Sequence, residues 1–308
     1  MYVGLDFLID KKGKIFLTEV NTGLPGGAQE YDFVYRQRFN KPSGVFNKIE
    51  DLSIQLYRKD FKSYINGLTY LNDLKRLKTW MDGQGSIPER FHPVFRLEDK
   101  WVQYLLLSKK YPMADTCIYK DNIADISPGI FSTNRLVLKK RYGRGGYGFK
   151  IIEQKDSMRV DGLPLDGSYL CQSYIDSSVG SKYGPLQFSL RAAAFSGSFI
   201  CMFANLSENI TSNHGIRTFV SKGDEFVLKD TSFKKMTIIK KAWEADIFFG
   251  DSIPQYLHEK LYKEVISDTE LTIPKKTYQT IVRYAEEISL LYTNIVLSEL
   301  PECYLENI

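Results

Sequence analysis

The sequence predicts an α+β protein with antiparallel strand pairs and amphipathic helices. The chain opens with two short apolar runs, rich in β-branched residues, around a Lys12-Gly13 turn, which is typical of a β-hairpin. Further short apolar strands and a glycine-rich loop fill the middle of the chain. Leucine and tyrosine recur at helical spacing in residues 48–80 and 276–297, which indicates helices there.

The first hairpin brings two carboxylates together. If Lys12 and Gly13 form the turn, the ladder sets Asp6 opposite Glu19, with their Cβ atoms about 5 Å apart. Alternation then predicts that Asn21 shares the face of these two acids. Two acids and an amide oxygen suit Mg²⁺ or Mn²⁺, although a surface hairpin with solvated acids is the alternative. The predicted apolar face consists of Leu5, Phe7, Ile9, Phe16 and Val20.

Composition narrows the functional class. A chain of 308 residues can bury a large core and form two or three lobes. The first strand is short and interrupted by acids, so we expect neither a signal peptide nor a membrane span. The net charge of +4 is mild and does not argue for nucleic acid. We therefore expect a cytoplasmic protein. Its cysteines lack metal-finger spacing and are expected to be reduced thiols: Cys117, Cys171, Cys201 and Cys303.

A helical region and a linker precede the strand-rich part. Residues 28 to about 82 predict two or three helices whose aromatic and leucine side chains pack as core. Asp82–Pro93 is predicted to be a linker. Glu98 then opens a helix that runs to about Lys110, with acids in its first turn, where the helix dipole favours them.

Residues 135–152 predict a strand, a glycine-rich loop and a second strand. Glycines leave backbone N–H groups free to bind oxyanions, and Lys139 and Arg144 supply positive charge. The loop is neither a Walker loop nor a Rossmann fingerprint, because the GK[ST] signature and the following helix are missing. A plain flexible turn is the alternative. The loop glycines are Gly143, Gly145, Gly146 and Gly148.

Four polar residues in the later elements are candidates for function. Arg191 lies inside a strand, where a surface or ion-paired arginine is the alternative to a functional one. A polar loop holds Asn213 and His214, and Arg217 begins the strand that follows. Strands are predicted over 115–119, 168–176, 186–195 and 199–203, a strand with a turn over 217–228, and helices over 234–249, 255–266 and 276–297.

Four of these motifs resemble parts of the ATP-grasp superfamily. Residues 137–149 are similar to its phosphate-covering loop, written as apolar-Lys-Pro followed by Gly-x-Gly-Gly-x-Gly, with Lys140 in place of the proline. Residues 169–175 resemble the hinge strand that reads adenine, and residues 98–100 the helix start whose lysine meets the nucleotide. Residues 4–21 resemble the metal-binding end, including a carboxylate interval of 19 − 6 = 13 residues.

The order of these motifs differs from that of an ordinary member. In the family the metal hairpin comes last, after a helix like residues 278–294, whereas here it comes first. Joining the end of the chain to its beginning restores the family's order. The resemblance therefore implies a circularly permuted ATP-grasp fold, with two α+β lobes around the nucleotide and an added helical segment. The predicted domains are a metal-binding hairpin (1–27), a helical connection (28–94), a nucleotide-binding lobe (95–175) and the rest of the C-terminal lobe (176–308).

The resemblance also implies a function. It predicts an ATP- and Mg²⁺-dependent ligase that forms an acyl phosphate on a small-molecule or peptide carboxylate, for capture by an amine or a thiol. A phosphotransferase and an inactive nucleotide-binding protein are the alternatives. The implied metal ligands are Asp6, Glu19 and Asn21. The implied nucleotide contacts are Lys100, Lys139, Gly143, Gly145, Gly146, Gly148, Gln172, Tyr174, Ile175 and Asp176. The implied catalytic residues are Arg191, Lys139, Asn213 and Arg217.

Two departures from the family pattern concern the substrate. Many members carry an arginine where this chain has Ala204-Asn205, and Arg217 is the candidate to replace it. No separate α/β domain precedes residues 98–100, although that domain helps to form the acceptor site in many ligases. Residues 28–90 could shape a pocket, cover a sheet edge or form a dimer interface.

Overall fold

The computed structural model describes residues 1–22, 27–61, 63–64, 96–120, 133–142, 148–153, 160–181, 184–207, 217–220, 226–229 and 270–299. These residues form antiparallel sheets and helices, so the predicted α+β class is confirmed. The strands are β1 Tyr2–Ile9, β2 Ile15–Asn21, β3 Thr116–Lys120, β4 Arg135–Lys140, β5 Lys150–Glu153, β6 Asp166–Ser173, β7 Ser178–Ser181, β8 Gly184–Phe195, β9 Ser198–Ser207, β10 Arg217–Val220, β11 Phe226–Lys229 and β12 Glu270–Ile273. The helices are α1 Ala28–Phe39, α2 Val45–Tyr57, α3 Lys100–Leu107 and α4 Lys275–Glu299.

The largest sheet has the strand order β10-β9-β8-β1-β2, and β7 pairs with β8. Helix α4 packs on β1, β8 and β9, and α1 and α2 both pack on β9. The α4 side chains that enter the core recur every three or four residues, because these positions share one helix face. These core positions of α4 are Ile281, Ala285, Ile288, Tyr292 and Val296. The opposing strand side chains include Val3, Leu5, Phe7, Leu190 and Phe195.

A second sheet has the order β3-β6-β4-β5, and among the described strands β11 pairs only with β12. Helix α3 contacts both β2 of the large sheet and β3 of the second sheet, so it joins the two. The second sheet has its own small core of Tyr119, Leu136, Leu138, Tyr169 and Cys171.

The first hairpin reaches its predicted pairing by a different path. The loop has three residues rather than two, since Asp10 pairs with Lys14 and Gly13 donates its N–H to the Asp10 carbonyl. Gly13 has φ +80°, which glycine adopts without strain. A bulge between Asp6 and Phe7 of the ladder then shifts the register back by one residue. The two differences cancel, and Asp6 lies opposite Glu19 as predicted.

The same bulge overturns one part of the predicted apolar face. Phe16 pairs with Leu8, whereas Leu17 pairs with Phe7 and is buried with it in the core. The prediction that Phe16 lies on the core face is therefore wrong. Regular alternation takes no account of the extra residue at Thr18, and one inserted residue turns every side chain beyond it to the other face of the strand.

Other predicted elements are close to the observed ones. The turn between β8 and β9 is Ser196-Gly197, and both residues have positive φ, as a tight hairpin requires. The strand predicted over 168–176 ends earlier, at Ser173, and the strand predicted over 217–228 is split between two sheets. The helices predicted over 234–249 and 255–266 lie outside the described residues. Among the helices in the described ranges, none is long and apolar enough to cross a membrane.

Candidate functional site

A row of charged side chains crosses three neighbouring strands of the large sheet. Asp6 of β1 lies opposite Glu19 of β2 on one side and opposite Arg191 of β8 on the other. Arg191 binds Asp6 through two hydrogen bonds, Nε to Oδ1 at 2.6 Å and Nη2 to Oδ2 at 2.5 Å. Asn21 donates from Nδ2 to Asp6 Oδ2 at 3.0 Å. The predicted acidic face is present, and Arg191 belongs to it as an ion-paired residue.

We expect the substitution Asp6→Asn to destabilise the fold by about 2 kcal/mol, because Arg191 would keep its charge without a carboxylate in a half-buried position. Both side chains are about one-fifth exposed, at 18% for Arg191 and 21% for Asp6, which screens part of the effect. Urea unfolding of Asp6→Asn, Arg191→Met and the double variant would measure the coupling. Additive losses would show that the pair does not stabilise the sheet.

Two lysines reach this row from the second sheet and its helix. Lys139 of β4 extends across to β2 and donates from Nζ to the Thr18 carbonyl at 3.1 Å. Lys100, the first residue of α3, is buried, and its Nζ lies 3.6 Å from Glu19 Oε2. The two predicted phosphate-binding lysines and the predicted metal-binding acids therefore converge, although they come from different sheets.

The pKa of Lys139 is lowered to about 8, mainly by burial and also by the neighbouring charge of Lys100, while Glu19 and Asp6 act in the opposite direction. The unfolded chain therefore holds a proton on this lysine between about pH 8 and pH 10.5 that the folded chain releases. Stability rises with pH wherever the unfolded state binds more protons. The difference between 10.5 and about 8 corresponds to about 3 kcal/mol, and solvent screening at this half-buried position leaves an expected increase in unfolding free energy of about 2 kcal/mol across the window.

This pH dependence is measured by urea unfolding at several pH values. The wild-type curve should rise relative to that of Lys139→Met above pH 8, because methionine cannot titrate. The substitution Lys150→Met removes an exposed lysine from the same sheet and is the matched control. Parallel curves for wild type and Lys139→Met would contradict the lowered pKa of the Lys139 side chain.

Helix α3 is fixed to the second sheet at its start. Asp99 precedes the helix and accepts the Trp101 N–H at 2.9 Å, as an N-cap does. Its carboxylate also binds the guanidinium of Arg141, Nη2 to Oδ2 at 2.5 Å. The Arg141 carbonyl in turn accepts the Lys100 N–H at 3.0 Å. These bonds set Lys100 beside the strand that carries Lys139.

Two buried residues that attach α3 to β2 were not predicted from the sequence. Gln103 is 1% exposed; its Nε2 donates to the Val20 carbonyl at 2.7 Å and its Oε1 accepts the Val20 N–H at 2.9 Å. Nε2 also donates to the Leu97 carbonyl at 2.8 Å. Glu98, predicted to open the helix, is buried and accepts from the hydroxyl of Thr22 at 2.6 Å and from its N–H. The one feature of the sequence that could have indicated this contact is a polar residue, Gln103, within an otherwise apolar helix.

The predicted adenine-binding residues are ordered around the end of β6. Gln172 is buried and donates from Nε2 to Thr116 Oγ1 at 2.8 Å, so its side chain bridges β6 and β3. The Tyr174 ring stacks under the guanidinium of Arg135, 4.6 Å from the ring centroid. Ile175 is half-buried. The side chain of Gln172 thus already has a hydrogen-bond partner within the sheet.

Asp176 is expected to accept from a ribose, and it already has partners. Its Oδ2 lies 2.6 Å from Lys11 Nζ, and its Oδ1 accepts from the Ser178 hydroxyl at 2.6 Å. The Lys11 bond is the main reason that the pKa of Asp176 is lowered to about 2. Lys11 belongs to the β1–β2 turn, so this turn lies beside the segment that follows β6. A ribose would share or replace the Lys11 contact.

Only one of the four loop glycines is among the described residues. Gly148 has φ +75°, and an added Cβ would lie 3.1 Å from Tyr169 Oη and 3.2 Å from Lys140 Cγ. The left-handed backbone therefore favours glycine, and a side chain would also require Tyr169 and Lys140 to shift by a few tenths of an ångström. The other three loop glycines lie outside the described residues: Gly143, Gly145 and Gly146. The candidate catalytic residue Asn213 also lies outside them.

Arg217 does not lie in the charged row. The row of Asp6 and Arg191 continues through Phe203 of β9 to Val220 of β10. The backbone of Arg217 is three residues away from Val220 along the same strand, or about 10 Å. The backbone of Arg217 lies instead opposite Leu206, next to Asn205, so its role as a replacement for the family's arginine stays a prediction.

The donor set fits a metal ion best when an anion accompanies it. Within the described ranges, no group of three or more His, Cys, Asp and Glu side chains is placed to hold a metal. The candidate ligands are the two acids of the row and the Asn21 amide, which are oxygen donors of the kind Mg²⁺ prefers. Lys100, Lys139 and Arg191 oppose Asp6 and Glu19, so three positive charges minus two negative leave one positive. This balance disfavours a bare dication and favours an anion or a metal–anion complex.

The fold and the site together define an α+β protein in which acidic and basic side chains meet at a junction between two sheets. No protein-family model matches this chain, and no curated protein matches its sequence.

Proposed function

We propose that the chain is an ATP- and Mg²⁺-dependent ligase that activates a substrate carboxylate as an acyl phosphate, for capture by an amine or a thiol. The observation that carries the proposal is the convergence of Lys100 and Lys139 on Asp6 and Glu19 across two sheets. Positive and acidic groups at one junction suit a nucleotide polyphosphate together with its metal ion. If the polyphosphate and the metal ion bound at separate sites, the lysines and the acids would not need to lie together.

The lysines are the polyphosphate-binding part of the proposed site. Lys100 is buried and Lys139 is half-buried, and electrostatic attraction to phosphate is stronger at such positions than at an exposed surface. A bound polyphosphate would offer Lys139 several charged acceptors in place of the single Thr18 carbonyl. It would also raise the lowered pKa of Lys139 by stabilising the ammonium. Binding of an anion therefore removes the electrostatic cost of burying two neighbouring lysines.

Asp6, Glu19 and Asn21 are the residues that would hold Mg²⁺ or Mn²⁺, which neutralises phosphate charge and orients the transferring phosphoryl group. For Asp6 to act as a ligand, its carboxylate would share its oxygens between Arg191 and the metal ion. Arg191 stays within reach of the negative charge that develops during phosphoryl transfer, and it keeps Asp6 ionised and oriented.

A thermal-shift titration with ADP and ATP, with and without Mg²⁺, tests the nucleotide site. A ligand at about 100 times its dissociation constant stabilises the native state by about 2.7 kcal/mol, which raises the unfolding temperature by several degrees. We expect a shift that increases with Mg²⁺, and the Mg²⁺ increment should disappear in Glu19→Gln. The absence of a shift with any nucleotide would contradict the proposal.

The reaction class is tested by incubating the protein with MgATP, a panel of carboxylic acids and hydroxylamine. An acyl phosphate reacts with hydroxylamine to give a hydroxamate, and we expect this product together with ADP. A stable phosphorylated alcohol would instead identify a phosphotransferase. Nucleotide binding without any turnover across a broad panel of acids and alcohols would favour a non-enzymatic nucleotide-binding protein.

A further inference from the structure

Two cysteines lie opposite each other on neighbouring strands of the second sheet. Cys117 of β3 is the direct register partner of Cys171 of β6, so the two side chains project from the same face. Two residues further along, Ser173 donates its N–H to the Asp115 carbonyl at 2.9 Å. Because hydrogen-bonded pairs recur at every second residue, Cys117 and Cys171 form such a pair, with Cα atoms about 5.5 Å apart. That distance lies within the range that a disulfide spans.

The two thiols differ in their access to solvent. Cys171 is fully buried among Leu136, Leu138 and Tyr169, while Cys117 is half-buried at the margin of the same cluster. Strand β3 is an end strand of its sheet, so Cys117 is on the outer side of the pair. A reagent from solvent therefore meets Cys117 first, and Cys171 lies directly behind it.

The thiols also differ in acidity. They share a hydrogen bond, which lowers the pKa of Cys117 and raises the pKa of Cys171, and burial raises the latter further. The thiolate is the reactive form of cysteine. The accessible member of the pair is thus the nucleophile, and the buried member keeps its proton until a reaction at Cys117 draws it in. This division of roles agrees with the geometry.

We propose that Cys117 and Cys171 are a redox-active dithiol that forms a cross-strand disulfide on exposure to a hydroperoxide. The Cys117 thiolate attacks one peroxide oxygen, the O–O bond breaks, and the departing oxygen takes a proton and leaves as water or an alcohol. The Cys171 sulfur then attacks the Cys117 sulfenic acid, the S–O bond breaks, and the Cys171 proton leaves with the hydroxide as water. Both sulfurs are oxidised, and the peroxide is reduced.

The bond would form beside a residue of the candidate nucleotide site. The next pair along the two strands is Thr116 and Gln172, which the Gln172 side chain bridges at 2.8 Å. A disulfide would close a loop of 171 − 117 + 1 = 55 residues and raise the unfolding temperature. The dithiol itself is independent of the proposed ligase function and stays testable if no nucleotide binds.

Mass spectrometry of the full chain tests the dithiol. The reduced protein is treated with increasing hydrogen peroxide, its free thiols are blocked with N-ethylmaleimide, and it is digested without reduction. We expect one peptide pair that links Cys117 to Cys171, lighter by two hydrogen atoms than the separate peptides. Cys201, which is buried in β9, is the internal control and should stay reduced.

Two single variants separate the roles of the sulfurs. Cys171→Ser should accumulate a sulfenic acid on Cys117, which dimedone traps, whereas Cys117→Ser should leave Cys171 unoxidised at the same peroxide concentration. The wild-type measurement does not depend on either variant being stable. Peroxide that yields no linked pair in the wild type, or that links either residue to another cysteine instead, would overturn the proposal.

Discussion

Replacing Lys139 by Met is expected to weaken ADP binding roughly 10- to 100-fold, because a charged hydrogen bond is worth about 1.5–3 kcal/mol and each 1.4 kcal/mol is a factor of ten. Lys139 is the only candidate phosphate ligand that comes from a strand of the second sheet within the described ranges, and its Nζ already reaches across to β2. Isothermal titration calorimetry at about pH 7.5, where the protonated form of the lysine predominates, measures the change.

The control for this experiment is Lys150→Met, which removes the same charge from an exposed position of β5. It should change ADP affinity by less than about twofold, since exposed charges at a distance are largely screened. Lys139→Met should fold normally, because it removes a half-buried charge whose pKa the site already lowers. Equal losses in the two variants would indicate a general charge effect, and unchanged affinity in both would exclude Lys139 from the nucleotide site.

Local features of the candidate site follow from the sequence, and longer-range ones do not. Asp6 and Glu19 are close in the chain, so hairpin alternation predicts their pairing even though both the turn and the bulge differ from expectation. Arg191 is 185 positions away from Asp6, and no local pattern indicates that their strands are neighbours. Its bidentate bond to Asp6 therefore emerges only from the sheet order.

The same limit explains Gln103. The apolar spacing of a helix assigns its polar residues to the solvent side. Gln103 is nevertheless buried, because α3 covers the outer edge of β2. Strand edges carry unpaired N–H and C=O groups that must find partners when they are covered. The sequence predicts neither which strand is at the edge nor what covers it. The Gln103 side chain is the partner in this protein.

Replacing Gln103 by Leu is expected to cost about 3 kcal/mol of unfolding free energy, the largest stability loss predicted for this site. Leucine fills the space but leaves the N–H and the carbonyl of Val20 buried without partners, each at about 1–3 kcal/mol. Urea unfolding measures the loss. Gln187→Leu removes a half-buried glutamine of β8 that accepts from Ser177 at 3.4 Å and hydrogen-bonds the Tyr174 hydroxyl, and it should cost only about 1 kcal/mol.

A near-isosteric variant separates the hydrogen bonds from packing. Gln103→Glu keeps the shape and one acceptor but replaces the Nε2 donor with a carboxylate oxygen that faces the carbonyls of Val20 and Leu97. The introduced carboxyl group can donate to them only when it is protonated, so its pKa in the folded state is raised. The stability deficit of Gln103→Glu should therefore shrink as the pH falls toward about 4. The deficit of Gln103→Leu should not change with pH. If both deficits are independent of pH, side-chain volume rather than hydrogen bonding explains the loss.

Gln103 also connects stability to the candidate metal ligands. Val20 lies between Glu19 and Asn21, so freeing the edge of β2 releases the backbone that aims both side chains. Amide hydrogen exchange of Val20 should accelerate by about tenfold or more in Gln103→Leu and remain unchanged in Gln187→Leu. If Val20 stays protected while Mg²⁺-dependent nucleotide binding is lost, then Gln103 acts on the ligand directly. If the protection of Val20 and Mg²⁺-dependent nucleotide binding are lost together, helix α3 holds Glu19 and Asn21 in place through the edge of β2.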